Sequence, residues 1–144
     1  MGLIDRLNGD RIYFDSNIWI YALEGFIEYR SVLTPLLESD KTIVTSELTI
    51  AEVLVTAVRD NDAVKRSAYI EAVLNPDNTE AIPINRRILL EAARIRSYTK
   101  LKLPDAIHAA TALATNCTTF LTNDKQFRTV EGLNVLLLQT AVGG

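Results

Sequence analysis

Five short runs of β-branched and aromatic residues, set between longer stretches of helical periodicity, constrain this chain more than anything else in it. The runs fall at 11–15, 41–45, 80–84, 118–122 and 134–138. Apolar residues recur at helical spacing over 16–24, 27–39, 46–59, 61–74, 86–99 and 104–115, with a short turn around 125–129. Strands separated by helices cannot pair as tight hairpins and must return by crossovers. The pattern therefore predicts an α/β fold in which a central, mainly parallel five-stranded sheet is covered by helices on both faces.

Local chemistry sets several boundaries. Ser46 is suited to cap the helix that follows it, and Pro104 suits a first helical turn, where a missing N–H costs nothing. Asn75-Pro76-Asp77-Asn78 reads as a turn, and Asn116 as a helix stop. Ala141-Val142-Gly143-Gly144 reads as a frayed end. With 144 residues, 48% of them hydrophobic, the chain is sized for one domain over 1–144. Cys117 has no second cysteine to pair with, and the N-terminus lacks the apolar core of a signal peptide. No apolar run approaches the roughly 20 residues that span a bilayer. The expected location is cytoplasmic, with no membrane partner.

Against this frame four acids stand out. Asp15 closes the apolar run Ile12-Tyr13-Phe14, Glu52 interrupts an apolar helix, Asp105 opens an alanine-rich helix, and Asp124 follows Leu121-Thr122-Asn123. Each has an ordinary reading of its own: a helix cap at Asp15, a wet stripe at Glu52, a favourable helix dipole at Asp105, a turn at Asp124. Glu52 resists most, because Leu48, Thr49, Val55 and Thr56, one turn away on its helix, offer no positive partner. If the four converge, two carboxylates about 4 Å apart repel by roughly 4 kcal/mol at an effective dielectric near 20. Such a pocket calls for protons, basic partners or a hard cation such as Mg²⁺ or Mn²⁺. His108, the only histidine, could face the same pocket but reads first as a packing or hydrogen-bonding residue.

The net charge of −3 is unlike that of a protein coating nucleic acid, yet it is unevenly spread. Arg86, Arg87, Arg94, Arg96, Lys100 and Lys102 face only Glu91 between 86 and 102, a local balance of +5 that leaves −8 elsewhere. This is either a solvated helix face or a track for phosphates beside the acids.

The order of the motifs is more specific than any one of them. Phe14-Asp15-Ser16-Asn17, Ser46-Glu47-Leu48-Thr49-Ile50-Ala51-Glu52-Val53, Leu103-Pro104-Asp105-Ala106-Ile107-His108-Ala109-Ala110 and Leu121-Thr122-Asn123-Asp124-Lys125-Gln126-Phe127 together resemble the PIN-domain family, most of all the small VapC-like ribonuclease toxins of toxin–antitoxin pairs. The resemblance covers essentially the whole chain. It implies a PIN-like three-layer sandwich and a metal-dependent endoribonuclease. Asp15, Glu52, Asp105 and Asp124 match the acidic metal-binding residues. Thr122 matches the polar residue before the last acid, and Ser16, Asn17 and Ser46 match small polar neighbours that orient water or a carboxylate. It also implies Mg²⁺ or Mn²⁺ as cofactor, RNA as substrate, a cognate antitoxin as partner, and a homodimer. The ten residues before the first strand depart from the pattern.

Two other readings compete. An inactive PIN-like module could bind RNA or a protein partner through its acidic pocket, for instance by taking up an arginine. A magnesium-dependent phosphatase or receiver domain would need an Asp-x-Asp pair after the first strand, where this chain has Asp15-Ser16-Asn17.

Overall fold

The computed structural model describes residues 2–7 and 9–143. Its elements run α1 (Leu3–Arg6), β1 (Arg11–Phe14), α2 (Ser16–Glu24), α3 (Ile27–Leu37), β2 (Thr42–Ser46), α4 (Leu48–Arg59), α5 (Ala63–Val73), β3 (Thr79–Ile82), α6 (Arg86–Tyr98), α7 (Leu103–Ala114), β4 (Thr119–Thr122), a 3₁₀ turn (Lys125–Thr129), β5 (Val135–Leu137) and α8 (Leu138–Gly143). The five strands form one sheet in the order β3-β2-β1-β4-β5, and every pairing is parallel.

The alternation along each strand divides the core into two layers. Ile12 and Phe14 of β1, Ile43 of β2 and Leu121 of β4 face one side, against Ile18, Trp19, Leu33, Leu36, Val53, Tyr69 and Val73 from α2 to α5. Tyr13, Val44 and Phe120, one residue out of step, face the other side, against Ile88, Ala92 and Ile95 of α6, Ala106, Ala109 and Ala110 of α7, and Phe127. The alanines leave room for α7 to lie close to the sheet.

Topology then fixes where ligands can gather. From β1 the chain steps outward through β2 to β3, then crosses back to β4 and β5 on the other side. A crossover between parallel strands is right-handed, so reversing direction across the sheet moves the connecting helices to the opposite face. In open α/β sheets such a reversal, here between β1 and β4, is where ligand crevices form, beyond the carboxyl ends of the strands.

Most predicted boundaries lie within two residues of the observed ones. β3 stops at Ile82 because Pro83 has no N–H to continue the ladder. Asn116 ends α7 in a left-handed conformation, with φ of 57°. Asp77 N–H donates to Asn75 Oδ1 at 3.0 Å, forming the predicted turn.

Both ends of the chain differ from expectation. In the ten-residue lead, apart from Met1 and Asn8, which lie outside the described residues, α1 buries Leu3 and packs on α3 and α8. The predicted frayed end, whose last residue Gly144 also lies outside the described residues, is instead the second half of α8. Leu138 and Ala141 are both buried in the first core layer. No periodicity is legible in so short a helix, and its apolar residues find partners only in the tertiary structure. Leu138→Ala is expected to cost about 2–5 kcal/mol in urea denaturation; a loss below about 1 kcal/mol would mean this end contributes little to the core.

Candidate active site

The four acids arrive at the switch-point crevice from four different elements. Asp15 follows β1 and caps α2, its Oδ1 accepting the Ile18 N–H at 3.1 Å. Its other oxygen, Oδ2, accepts the hydroxyl of Thr122, the last residue of the neighbouring strand β4. Thr122 Oγ1 in turn accepts the Asp124 N–H at 3.0 Å. Asp15 is thus both a helix cap and the deepest acid of the crevice, while fully buried Thr122 ties it to the turn that presents Asp124. Asp124 caps the 3₁₀ turn by accepting the Gln126 N–H at 2.9 Å.

Asp105 is half-buried in the first turn of α7, after Pro104. Glu52, also half-buried, projects from the middle of α4. The helix that carries Glu52 offers it no partner, as the sequence indicated; the partner comes from across the crevice. His108 Nε2 lies 2.6 Å from Glu52 Oε1, and Ser16 donates its hydroxyl to the same oxygen at 2.7 Å. His108 is itself buried, with Nδ1 2.6 Å from the Tyr13 hydroxyl. It is the residue whose importance the sequence understated. Its signal was its place one turn beyond Asp105 on an otherwise apolar helix face.

The supporting residues take distinct places. Ser16 orients a carboxylate directly, and Ser46 Oγ accepts the Leu48 N–H at 3.1 Å at the start of α4. Asn17 is exposed in the first turn of α2. Thr45 and Thr49, which carried no sequence signal, are buried beneath the site: Thr45 donates to the Phe14 carbonyl at 2.9 Å and shares a hydrogen bond with Thr49 at 2.8 Å.

The electrostatics show an excess of buried negative charge. Burial pushes the Asp15 carboxyl up to about 6, although Thr122, His108 and the Ile18 amide all favour its charged form; Asp105 adds to the rise. Asp105 is also raised, chiefly by burial, with His108 opposing and Asp124 and Glu52 adding to it. Burial pushes Glu52 up too, but its bonds to His108 and Ser16 and the charge of His108 win, leaving it below the usual carboxylate range. Asp105 therefore feels all three other acids. Among the described residues, however, no three His, Cys, Asp or Glu side chains are gathered closely enough to hold a metal ion as they stand.

The basic segment splits in two. Lys100 and Lys102 line a cleft with Tyr98, Thr99, Asp105, Asp124, Gln126 and Thr129. Arg86, Arg87 and Arg94 line a separate groove with Leu90, Glu91, Leu113 and Ala114. Ala114 lies nine residues beyond Asp105 on α7, roughly 14 Å along the helix axis. Arg94 is held by Glu91 at 2.6 Å, and Arg96 donates to the Leu101 carbonyl at 3.2 Å.

A parallel α/β sheet with carboxylates clustered beyond its two central strands defines a class of acid-lined sites at a topological switch point. The sequence matches the PIN domain over residues 12–133, and the chain belongs to the PIN-domain family, a family of nucleases. Structurally it is similar to a toxin–antitoxin complex from Klebsiella pneumoniae, with 26% identity, 88% of this chain and 97% of that chain covered, and a TM-score of 0.68. It shares its fold with VapBC2 from Rickettsia felis, crystallised on a promoter DNA fragment, at 20% identity over 88% and 98% of the two chains, with a TM-score of 0.70. It likewise shares the fold of VapC20 from Mycobacterium tuberculosis, a toxin that cleaves the sarcin-ricin loop, at 13% identity over 81% and 92%, with a TM-score of 0.65. No curated protein matches the chain at a significant level.

The raised Asp15 has a measurable consequence. Between its ordinary value near 4 and about 6, the folded protein holds a proton that the unfolded chain has released. Stability therefore falls as pH rises through that window, by up to roughly 3 kcal/mol. In chelator, Asp15→Asn is expected to melt above the wild type near pH 7.5, with the gap closing towards about pH 4. If the variant melts below the wild type at neutral pH, the buried charge is already compensated within the protein.

Proposed function

We propose that this chain is a metal-dependent endoribonuclease that hydrolyses RNA phosphodiester bonds, and that it is the toxin half of a toxin–antitoxin pair. The observation that carries the reading is the uncompensated charge of the crevice. Asp15 is buried with no ion-pair partner among the described residues, and Asp105 is pushed up chiefly by burial and further by Asp124 and Glu52. An all-oxygen, anionic donor set suits Mg²⁺ or Mn²⁺. Asp15, Asp105 and either Glu52 or Asp124 would hold the ion, directly or through water, with the fourth acid left for a second ion or the attacking water. Because the acids are not gathered as they stand, binding requires the half-buried Asp105 and Asp124 to close on Asp15 and Glu52. When bound, the ion supplies charge neutralisation at the phosphoryl oxygens and a more acidic water.

The chain's own residues provide the rest. Thr122 and the Ile18 amide fix both oxygens of Asp15, leaving it little rotational freedom. Ser16 fixes Glu52. Lys100 and Lys102, on the rim of the cleft that contains Asp105 and Asp124, offset the repulsion between an acidic site and a polyanion. Arg86, Arg87 and Arg94 line a separate groove that would offer a second contact to a long RNA, and Arg96 lies between the two along the chain. The similarity to toxin–antitoxin structures supports an antitoxin partner. An apolar groove on α4, lined in part by Leu54, Val55, Val58 and Ile84, supports protein contact by an antitoxin or a second copy, since Val55 and Val58 are each about 60% exposed. Among the described residues no helix is long and apolar enough to cross a membrane.

Purified protein incubated with structured RNAs is expected to cut them in Mg²⁺ or Mn²⁺ and not in chelator. Asp15→Asn and Asp105→Asn should each lower the rate by at least about 100-fold. Cleavage that survives in chelator or in Asp15→Asn refutes the assignment. RNA binding followed by fluorescence anisotropy should lose affinity and salt dependence in a Lys100→Ala/Lys102→Ala double variant, the slope of log K against log salt flattening by about 1.4. An unchanged slope would remove both lysines from the RNA path.

A further inference from the structure

Among the four acids, Glu52 is the one hydrogen-bonded to His108. Its Oε1 receives both the Ser16 hydroxyl and the His108 ring, while Oε2 has no hydrogen-bond partner among the described residues. The imidazole that makes this contact is buried and gripped at its other nitrogen by the Tyr13 hydroxyl. Tyr13 is in turn immobile: its ring stacks on Phe120 of the neighbouring strand, with centroids 5.0 Å apart and planes 6° from parallel.

In the neutral imidazole, the bonding capacity of these groups fixes the direction of each hydrogen bond. An ionised carboxylate only accepts, so the 2.6 Å contact to Glu52 requires a proton on Nε2. Burial, with smaller contributions from nearby charges, keeps the Tyr13 phenol protonated at any physiological pH, and its hydroxyl has one proton to give. Giving it to Nδ1 leaves that nitrogen as the acceptor. The chain of donors runs from Tyr13 through His108 to Glu52.

We propose that His108 is a positioning residue of the active site: the Tyr13 hydroxyl locks its ring in the Nε2–H tautomer, and that N–H, together with Ser16, anchors Glu52 Oε1 so that Oε2 is the oxygen presented to the crevice. This rests on the nuclease reading for its catalytic consequence but not for its structural content. Outer-shell partners of this kind change activity by about 10–100-fold when removed.

Because His108 is the only histidine, long-range ¹H–¹⁵N correlation spectra of the tag-free protein report its tautomer without ambiguity. In mildly alkaline buffer the wild type is expected to show Nε2–H alone, and Tyr13→Phe, which keeps the stacked ring, to show a mixture. On RNA, His108→Phe is expected to lower kcat by about 10–100-fold with KM nearly unchanged. His108→Gln, whose amide can donate from near the Nε2 position, should recover most of that loss. An Nδ1–H tautomer in the wild type overturns the proposal, as does a His108→Phe protein that cuts at the wild-type rate, or equal loss in the Gln and Phe variants when both fold. If His108→Phe fails to fold, Tyr13→Phe decides: an unchanged tautomer together with an unchanged kcat overturns it. Should the wild type cut no RNA at all, the nuclease reading fails while the tautomer still decides the placement of Glu52.

Discussion

The carboxylate of Asp15 joins the parts of this protein that have to meet. One oxygen takes the Ile18 amide and so starts α2; the other takes the Thr122 hydroxyl and so holds the end of β4 against the end of β1. Those two strands flank the point where the chain reverses direction across the sheet. A residue that caps a helix at that point lies where ligand crevices form in such sheets, and Asp15 lies there buried. The cost is visible in its protonation: burial favours the neutral acid by more than its three stabilising partners recover. A carboxyl perturbed in this way beyond the strand ends marks a candidate functional site.

The other acids share that burden unequally. Asp105 and Asp124 sit at the starts of helical turns, where backbone N–H groups and the helix dipole make a negative charge easier to hold. Glu52 lies mid-helix and has no such help, and its stabilisation comes from Ser16 and His108. The two groups that compensate the site from within, one hydroxyl and one imidazole, reach it from α2 and α7 on opposite faces of the sheet. Packing of both layers is therefore a condition for the geometry of the acids, with the stacked Tyr13 and Phe120 rings backing the imidazole on the α7 side.

The acids were legible because each interrupts an otherwise apolar pattern at an element boundary or on a buried face, where an unpaired charge is expensive. Thr122, Ser16 and Ser46 entered as site residues only through the family resemblance. The partnership of His108 with Glu52 was not legible, since the two lie 56 residues apart on helices that pack on opposite faces of the sheet. The basic segment was legible as charge but not as an arrangement. Read along the chain, its six cations form one block; wound into α6 and the loop after it, Lys100 and Lys102 lie beside Asp105 and Asp124, Arg86, Arg87 and Arg94 line a groove at the far end of α7, and Arg96 bonds the Leu101 carbonyl.

Strand and helix order, the parallel sheet and the identity of the acids follow from periodicity and from the energetics of charge, both of which act over a few neighbouring residues. Two things were decided only by tertiary structure. The first is the fate of the chain ends, where α1 and α8 exist because Leu3, Leu138 and Ala141 find a shared core, not because four- and six-residue segments have helical stability of their own. The second is which distant side chain steadies which acid. That depends on strand order and on the face each side chain takes, and a one-dimensional pattern holds no record of which distant residues the right-handed crossovers bring within a hydrogen bond of each other.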